Sequence, residues 1–478
     1  MLPETGVSFS CKNEKLQRVY DAAEETCRGN LRRFGSDLVL VEGGGYEKIW
    51  LETQPMGGEM YALRSLEAAK NNCLLFMRHQ REDGRLPGSI QCVDGKTEAQ
   101  FNKYQGFCFP FPALNLYYLL GEDREYLLNL QDCLRRFDVC LWRTRDSNGD
   151  GLLESFCVYD TGEDRALRYG NAPCWWTEDR PPEGYDVVPM ASMDVMSWSY
   201  AARSTLAAVS RILGDGQAEA WKAGAEKVAR ALRDGLWDER RGACFDRDKN
   251  GKPVEVLCHN TLRCMYWGSV SADMAARFVR EHLLNPREFW TPFPLPSVAA
   301  CDPAFRNAPE NNWSGQPEGL TYQRAILALE NYGYHTLVTR LGEKLIDAVA
   351  ENGCRFTQQF DPFTGRPSLV HTVTHQPLPE GGEPAQRDYG PTALAVLEYI
   401  AHHFGIHPHL GQVWFSLGSR EEYTYEARFY GHGYAIRGSG RTAEIFVDGK
   451  PLGAFACGQR IITDPEGRIL DTVRTEDA

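Results

Sequence analysis

One stretch decides the fold: it reads Asp146-Ser-Asn-Gly-Asp-Gly-Leu-Leu-Glu-Ser-Phe-Cys-Val-Tyr-Asp-Thr-Gly-Glu-Asp164. A polar loop with glycines is followed by a short apolar run and by closely spaced carboxylates, of which Asp160, Glu163 and Asp164 come last. Carboxylates this close repel one another, and burial raises the pKa of at least one of them. A carboxyl that keeps its proton near neutral pH is what a general acid requires. The alternative is a solvated acidic surface loop.

The composition is that of an ordinary globular protein, with 478 residues, 42% of them hydrophobic and 24% charged. A net charge of -13 disfavours binding to nucleic acids, which requires a basic face, and to anionic membranes. The chain shows no signal-peptide pattern and no apolar run of membrane length. Its fifteen scattered cysteines indicate reduced thiols rather than a disulfide framework. We therefore expect a soluble, cytoplasmic protein.

Helical periodicity dominates the chain as far as residue 404. About eleven helices are predicted, mostly in antiparallel pairs: 14–28, 58–80, 110–120, 124–144, 192–213, 216–236, 258–267, 272–284, 318–332, 334–350 and 389–404. Such pairs can close on themselves and collect their long loops at one end. We therefore predict a mainly α protein, an (α/α)6 toroid or six-hairpin barrel. A helical solenoid is the alternative, but no fixed-period repeat supports it.

The pattern changes after residue 406, where apolar and polar residues alternate with a period of two between turns such as Asp448-Gly-Lys. Alternation of this kind predicts strands, and the segment is short. Hairpin-like stretches are also predicted at 237–256 and 354–375. We therefore predict a catalytic barrel domain at 1–405 and a small β-sandwich-like appendage at 406–478.

Four motifs, in this order, carry a resemblance to a known family. They are Trp50-Leu-Glu52, the turn from Gln80 to Pro87, the stretch 146–164, and Trp313-Ser-Gly315. Together they resemble the (α/α)6-barrel glycosidases, closest to glycoside hydrolase family 63 and the mannosylglycerate-hydrolase-like enzymes, with trehalases more distant. The resemblance implies a glycosidase whose general acid is Asp164.

One departure from the family pattern concerns the general base. Family members carry a glutamate shortly before an Asp-Pro-x-Thr-Gly turn, which is Asp361-Pro-Phe-Thr-Gly365 here. The matching position is Gln358, and an amide cannot take a proton from water at neutral pH. The carboxylates that could replace it are Glu318, Glu52, Glu383 and Asp388. We predict Glu318, because it lies at the start of a helix in the motif loop.

The resulting hypothesis is an inverting, exo-acting hydrolase of a small, α-linked glycoside. Asp164 would protonate the leaving oxygen while a base activates water on the opposite face. Asp160 and Glu163 would help to keep Asp164 protonated by like-charge repulsion. The predicted substrate-binding residues are Trp50, Glu52, Gln54, Asp160, Trp175, Trp313, Gln358 and Tyr389. The partner is a small carbohydrate, and the oligomeric state is left open.

The start of the 146–164 stretch also resembles a calcium loop, with Asp146, Asn148 and Asp150 at alternating positions. Its twelfth position is Cys157, which excludes an EF-hand. A partial Ca2+ site completed from elsewhere and a loop closed by its own hydrogen bonds both stay open. No cofactor is required, and the cysteines and histidines show no zinc spacing.

Three other functions compete with hydrolysis. An inverting phosphorylase needs an acid but no carboxylate base, which would accommodate Gln358, although Arg85 and Arg387 are the only loop arginines that could hold phosphate. A catalytically silent sugar-binding protein would need neither carboxylate. A sugar epimerase would want histidine bases, for which only His371 and His375 are clustered.

Overall fold

The structure is a computed structural model that describes residues 2–309, 313–368 and 388–477. These residues include twelve α-helices. They are α1 Glu14–Gly29, α2 Gln54–Met60, α3 Leu66–Arg78, α4 Pro110–Leu119, α5 Arg124–Thr144, α6 Met193–Leu213, α7 Ala218–Leu236, α8 Asn260–Trp267, α9 Ala272–Phe278, α10 Gly319–Glu330, α11 His335–Glu351 and α12 Gly390–Phe404.

The even-numbered helices form an inner set, which we call the inner helices. Each contacts the next, from α2 to α4 and so on to α12, and α12 contacts α2. Each inner helix also packs against an odd-numbered neighbour, as α6 does against α7 and α12 against α1. All residues of α12 are buried, whereas α1 and α7 bury one stripe. A helix that is apolar on all sides belongs in a core, and an amphipathic one covers it.

The predicted helices match the observed ones within a few residues, with one clear difference. The segment predicted as a single helix at 58–80 forms two helices, α2 and α3. The chain breaks between them, and the Ser65 hydroxyl accepts a hydrogen bond from the Ala68 amide at 3.3 Å to cap α3. A serine can bond to the backbone of a new first turn, which favours a helix start at this position.

Short strands connect the helices, and longer ones follow them. They are β1 Gly6–Cys11, β2 Leu31–Phe34, β3 Asp37–Leu40, β4 Lys48–Trp50, β5 Ser89–Val93, β6 Lys96–Gln100, β7 Glu154–Ser155, β8 Met190–Ala191, β9 Trp237–Asp238, β10 Ala243–Cys244, β11 Gln359–Phe360, β12 Pro367–Ser368, β13 Ile406–His409, β14 Gln412–Leu417, β15 Glu422–Phe429, β16 His432–Ser439, β17 Thr442–Val447, β18 Lys450–Ala456, β19 Gln459–Thr463 and β20 Ile469–Arg474. The predicted hairpin at 354–375 contains β11 and β12, and its end lies outside the described residues.

The strand-rich C-terminal region consists of two sheets in contact with each other. One has the order β1-β15-β16-β17-β18 and the other β13-β14-β19-β20. Strand β1 pairs antiparallel with β15 along its whole length, from Gly6 opposite Arg428 to Cys11 opposite Tyr423. The sheet therefore includes an N-terminal strand, which the predicted division at residues 405 and 406 assigns to the helical part.

Two expectations from the composition can be compared with the structure. Within the described parts of the chain, no helix is both long enough and apolar enough to cross a membrane. All fifteen cysteines lie in the described residues as free thiols, and most of them are buried.

The packing of β1 predicts the effect of a substitution at Phe9. This side chain is 6% exposed and packs against Tyr20 and Tyr425, with ring centroids 5.1 and 6.0 Å away. Phe9→Ala should lower the free energy of unfolding by about 3 kcal/mol, because it leaves a cavity between strand and helix. Urea titration followed by circular dichroism measures this change. The control is Leu128→Ala, whose side chain is 45% exposed, and equal effects of the two changes would contradict a packed β1.

Candidate active site

The N-terminal ends of three inner helices meet and present their preceding loops to one another. Gly319, the first residue of α10, lies against Thr392 of α12, and Gly57 of α2 lies against Leu394 of the same helix. The glycines permit this approach, because a Cβ at Gly319 would overlap the Thr392 hydroxyl. The loops before these helices carry the motif residues from Trp50 onward. A single site therefore collects residues that are far apart in the sequence.

Asp164 lies in this site and beside Trp313. Its backbone carbonyl accepts a hydrogen bond from the Trp313 amide at 3.0 Å, and the residue is half-buried. Gly162 precedes it with a φ of +77°, which turns the chain after the short 3₁₀ helix Val158–Thr161. The negative charge of Asp164 is one of the causes that raise the pKa of Glu52 and of Glu318. Asp164 thus belongs to a cluster of carboxylates.

Glu318 occupies the N-cap position of α10, without a capping hydrogen bond from its side chain, and is completely buried. Its backbone forms an antiparallel bridge with Gln359, and the next amide, that of Gly319, donates to the carbonyl of Gln358 at 2.8 Å. Burial raises the pKa of Glu318 well above the ordinary value, and the charges of Asp164 and Glu52 raise it further. The backbone of Glu318 therefore pairs with the segment that contains Gln358, the position that resembles the family's base.

Glu52 is the third carboxyl of the cluster. It makes an ion pair with Arg324, and the guanidinium of Arg263 lies 3.7 Å from its carboxylate. Burial raises the pKa of Glu52 to about 7, although both arginines act in the opposite direction. Gly106 and Gly162 lie directly against this side chain, and a Cβ at Gly162 would overlap the carboxylate. Glycine at 162 is thus required both by φ and by the space that Glu52 occupies.

Glu42 is a fourth carboxyl of the site and is not among the residues predicted from the sequence. It accepts a hydrogen bond from the Tyr389 hydroxyl at 2.8 Å. Burial raises its pKa to about 8, and the charges of Glu52 and Asp164 contribute. The sequence feature that could have indicated Glu42 is the run of glycines at 43–45 that follows it. All three glycines have positive φ, and a Cβ at Gly43 would overlap the side chain of Asn30.

Aromatic and cationic groups stand around the carboxylates. Trp50 is half-buried, and the ammonium of Lys103 lies 5.2 Å from its ring centroid. Burial lowers the pKa of Lys103. Trp313 is buried and meets the His259 ring edge-on at 5.7 Å. Trp175 is 58% exposed, which suits a residue at the rim of a cleft.

A network of buried ion pairs continues from Glu52 through Arg263. Arg263 lies 2.9 Å from Asp194 and 3.3 Å from Glu163, and Arg168 also pairs with Glu163. Burial alone would raise the pKa of Glu163, but Arg168 and Arg263 outweigh it and hold this pKa well below the ordinary value. Glu163 is therefore a structural anion, in contrast to its neighbours Glu42 and Glu52.

A family model for the mannosylglycerate hydrolase MGH1-like glycoside hydrolase domain matches residues 59–384, more than half of the chain. The chain belongs to this family. The resemblance found in the motifs is thereby confirmed. A curated relative, the mannosylglycerate hydrolase of Rubrobacter radiotolerans, is 30% identical over 182 residues. This match spans 37% of the chain and 40% of that relative, less than half of its length.

Solved structures show the same fold. A family 63 mannosylglycerate hydrolase from Thermus thermophilus, in complex with glucose, matches with a TM-score of 0.61 at 18% identity. The match covers 79% of this chain and 99% of that one. The neutral trehalase of Saccharomyces cerevisiae matches with a TM-score of 0.56 at 13% identity, covering 80% of this chain and 79% of the trehalase. The MGH1-like chain therefore shares a fold with glycosidases of different substrates.

Two of the residues predicted to bind substrate in this MGH1-like chain serve the fold. Asp160 is completely buried, accepts hydrogen bonds from the amides of Tyr104 and Phe156, and lies 3.1 Å from Arg145. Its charge is therefore compensated within the fold, and we no longer expect Asp160 to bind substrate or to act on Asp164. The side-chain oxygen of Gln54 accepts from the Trp50 amide at 2.7 Å and so fixes the loop.

The position that resembles the family's base and the other candidate residues lie in different surroundings. Gln358 accepts a hydrogen bond from the Tyr46 hydroxyl at 3.2 Å, which places its amide beside Tyr389, whose ring packs on Tyr46. Asp388 is exposed, and Glu383 lies outside the described residues. Arg387, His371 and His375, named above for the phosphorylase and the epimerase, also lie outside them, and Arg85 is buried against Tyr104.

The predicted calcium loop is closed by its own backbone. Asp146 accepts from the Gly151 amide at 3.1 Å, Asn148 from the Asp150 amide at 3.0 Å, and Asp150 from the Leu152 amide at 2.8 Å. Asn148 and Asp150 are exposed. These contacts agree with the alternative of a loop held by hydrogen bonds, and Ca2+ at this loop stays a prediction.

The buried state of Glu42 predicts a pH dependence of stability. A carboxyl with a raised pKa keeps its proton in the folded protein at pH values where the unfolded chain has lost it. Stability therefore falls as the pH rises from about 4.5 to about 8. Glu42→Gln should remove up to about 5 kcal/mol of this decline, since the amide does not titrate. Urea unfolding across this pH range measures it. Glu82→Gln, at an exposed position, should leave the decline intact, and a parallel decline in Glu42→Gln would contradict the burial of a proton there.

Proposed function

We propose that this chain is an exo-acting, inverting glycoside hydrolase that cleaves a small, α-linked glycoside. The observation that carries the proposal is the proximity of the half-buried Asp164 to the buried Glu318, whose pKa its charge raises, in a segment bonded to Trp313. Inverting hydrolysis needs one carboxyl to protonate the leaving oxygen and a second to activate water, about 6.5–9.5 Å apart. Membership of the MGH1-like family supports this reaction class.

The scaffold that we propose for this chemistry is an (α/α)6 toroid. The closed series of contacts from α2 through α12 and back to α2 supports it. The C-terminal sheets would form a β-sandwich-like appendage at 406–478, completed by the strand Gly6–Cys11. In such a toroid the loops at the N-terminal ends of the inner helices form one cleft, which suits exo action on a small substrate.

Asp164 is the general acid in this proposal. Glu42 and Glu52 lie in the same cluster, and the charge of Asp164 contributes to the raised pKa of each. Carboxyls this close to one another support an assignment of the acid within this cluster. The backbone hydrogen bond from the Trp313 amide holds the Asp164 segment beside this aromatic residue.

Glu318 is the general base. Its backbone bridge to Gln359 supports this role, because it pairs the segment of Glu318 with the segment that contains Gln358, the position that resembles the family's base. A base acts only when it has lost its proton, and burial raises the pKa of Glu318 well above the ordinary range. Activity should therefore increase with pH at higher pH values than an exposed glutamate would give.

The aromatic residues and the lysine around the carboxyls support a class of substrate. Trp50 and Trp313 offer faces for a sugar, and Trp175 stands at the rim. The ammonium of Lys103 lies between the rings of Trp50 and Tyr159, at 5.2 and 4.8 Å from their centroids. A cation at this place supports a glycoside with an acidic aglycone of the glycerate type, as the name of the Rubrobacter radiotolerans relative also suggests.

The proposed chemistry requires no cofactor, because two carboxyls carry out both proton transfers. A Ca2+ ion at Asp146, Asn148 and Asp150 would be structural. Free cysteines support a reducing, cytoplasmic compartment.

Leaving-group dependence distinguishes the acid from the base. Asp164→Asn should lower kcat by about 100- to 10,000-fold on α-mannosyl- and α-glucosylglycerate. It should retain activity on an α-glycosyl fluoride, whose leaving group needs no proton. Glu318→Gln should lose activity on both substrates, because water still requires a base. Glu178→Gln, on the exposed rim loop, is the matched control and should behave like the parent.

The outcomes are separable. A reversed pattern would exchange the roles of the two residues, and full activity in Glu318→Gln would reject it as the base. Proton NMR of the first product should show inversion at the anomeric carbon. Sugar release that depends strictly on inorganic phosphate would replace hydrolysis by phosphorolysis. Binding without turnover on every substrate, unchanged in Asp164→Asn, would indicate a silent sugar-binding protein.

A second substitution tests the position of the base. In Glu318→Gln, the further change Gln358→Glu restores a carboxylate at the position that resembles the family's base. We expect it to recover at least a tenth of the parental kcat, on the order of 10-fold or more above Glu318→Gln alone. Gln359→Glu in the same background is the matched control for added charge. Equal recovery in both double variants would contradict a defined base position.

A further inference from the structure

A second polar cluster lies at the opposite end of the inner helices. Helix α12 begins at Gly390 in the site described above, and its residue His402 lies about 18 Å further along the helix axis. Glu398 and His402 are one turn apart on α12 and are both buried. The helix ends at Phe404, and His407 follows on strand β13. Two consecutive elements thus bring three potential metal ligands together.

The donor atoms of these residues converge. One carboxylate oxygen of Glu398, Oε2, lies 3.6 Å from His402 Nε2 and 3.6 Å from His407 Nδ1. One ligand atom from each residue lies within 4.8 Å of the others. Donors bound at about 2.1 Å around a tetrahedral ion are about 3.4 Å apart. Small side-chain movements would therefore bring all three atoms into the coordination shell.

The second ring nitrogen of His402 has a partner that orients the ring. Its Nδ1 lies 2.9 Å from an oxygen of Glu330, the last residue of α10. The guanidinium of Arg460 lies 2.7 Å from the same oxygen and thereby holds this carboxylate. A carboxylate on one imidazole nitrogen directs the lone pair of the other nitrogen to a metal, and such carboxylate–histidine–metal arrangements accompany most histidine ligands. This contact is a second observation, independent of the converging donors.

The cluster borders a cavity of about 30 Å³. Glu59 and His409 line the same cavity. A space of this size holds a water molecule, because about 10–15 Å³ suffices for one. A fourth coordination position could thus be filled by water, or by one of these two side chains. The site would then reach the four ligands that zinc prefers.

We propose that Glu398, His402 and His407 bind a divalent transition-metal ion of the zinc type, which fastens the last inner helix to the first strand of the C-terminal sheets. Two imidazoles and one carboxylate suit zinc and its neighbours in the first transition series, whereas Ca2+ and Mg2+ prefer oxygen donors alone. The metal is structural, because the site lies far from Asp164 and Glu318. The sequence signal is a glutamate and a histidine four residues apart on a helix, with a second histidine five residues later.

The test begins with the unmodified full-length chain. Protein stripped with a chelator should bind one equivalent of Zn2+ in a competition titration with a chromophoric chelator, and Zn2+ should raise its melting temperature. Co2+ should give the visible bands of a tetrahedral ion. X-ray absorption at the zinc edge should show nitrogen and oxygen neighbours. A sulfur shell, or no stoichiometric binding, would overturn the proposal whatever the variants do.

Variants then locate the ion. His407→Asn and Glu398→Gln should each weaken Zn2+ binding by on the order of 100-fold and abolish the shift in melting temperature. His432→Asn is the matched control, because His432 also contacts a carboxylate, that of Asp448 at 2.8 Å, in the C-terminal sheets. Unchanged binding in both ligand variants would refute the site. Glycoside turnover should not depend on Zn2+, so this result is independent of the proposed hydrolysis.

Discussion

The structure depends on how buried charge is balanced at the ends of the inner helices. These helices are largely buried, and their ionic groups gather in two clusters, one around Glu52 and Glu163 and the other around Glu330 and Glu398. Removing an ion from water costs several kcal/mol unless partners compensate for it. Glu163 has Arg168 and Arg263 close by and remains an anion. Glu42 has the hydroxyl of Tyr389, and burial raises its pKa to about 8.

The same balance explains why the carboxyls of the site differ in character. Glu52 has two arginines, yet burial and neighbouring negative charges still raise its pKa to about 7. For Glu318 the charge of Arg324 acts against burial but does not outweigh it, and the pKa of Glu318 lies well above the ordinary value. Neighbouring carboxyls thus have different pKa values and lose their protons at different pH values. Such a difference is required when one carboxyl acts as an acid and another as a base. The arginines therefore tune the site as well as stabilise it.

Periodicity predicted most of the helices, because outer helices such as α1, α5 and α7 each bury one stripe of side chains. It failed between α2 and α3, where apolar residues continue through a break that Ser65 caps. Spacing also grouped Asp160 with Asp164, although Asp160 pairs with Arg145, a residue in another part of the chain. Sequence proximity cannot tell which of several neighbouring carboxylates faces a cleft and which meets an arginine behind it.

In the proposal made above, the base, Glu318, belongs to a different segment from Gln358, the position that resembles the family's base. Glu318 and Gln359 face each other in an antiparallel bridge. Side chains at directly opposed positions have Cβ atoms about 4.5–5.5 Å apart. Gln358 is the neighbour of Gln359 in the chain, and the Gly319 amide donates to its carbonyl at 2.8 Å. The segments of Glu318 and Gln358 are therefore paired through their backbones. This pairing explains how the proposed base can belong to one segment while the position that resembles the family's base belongs to the other, without a change in the fold.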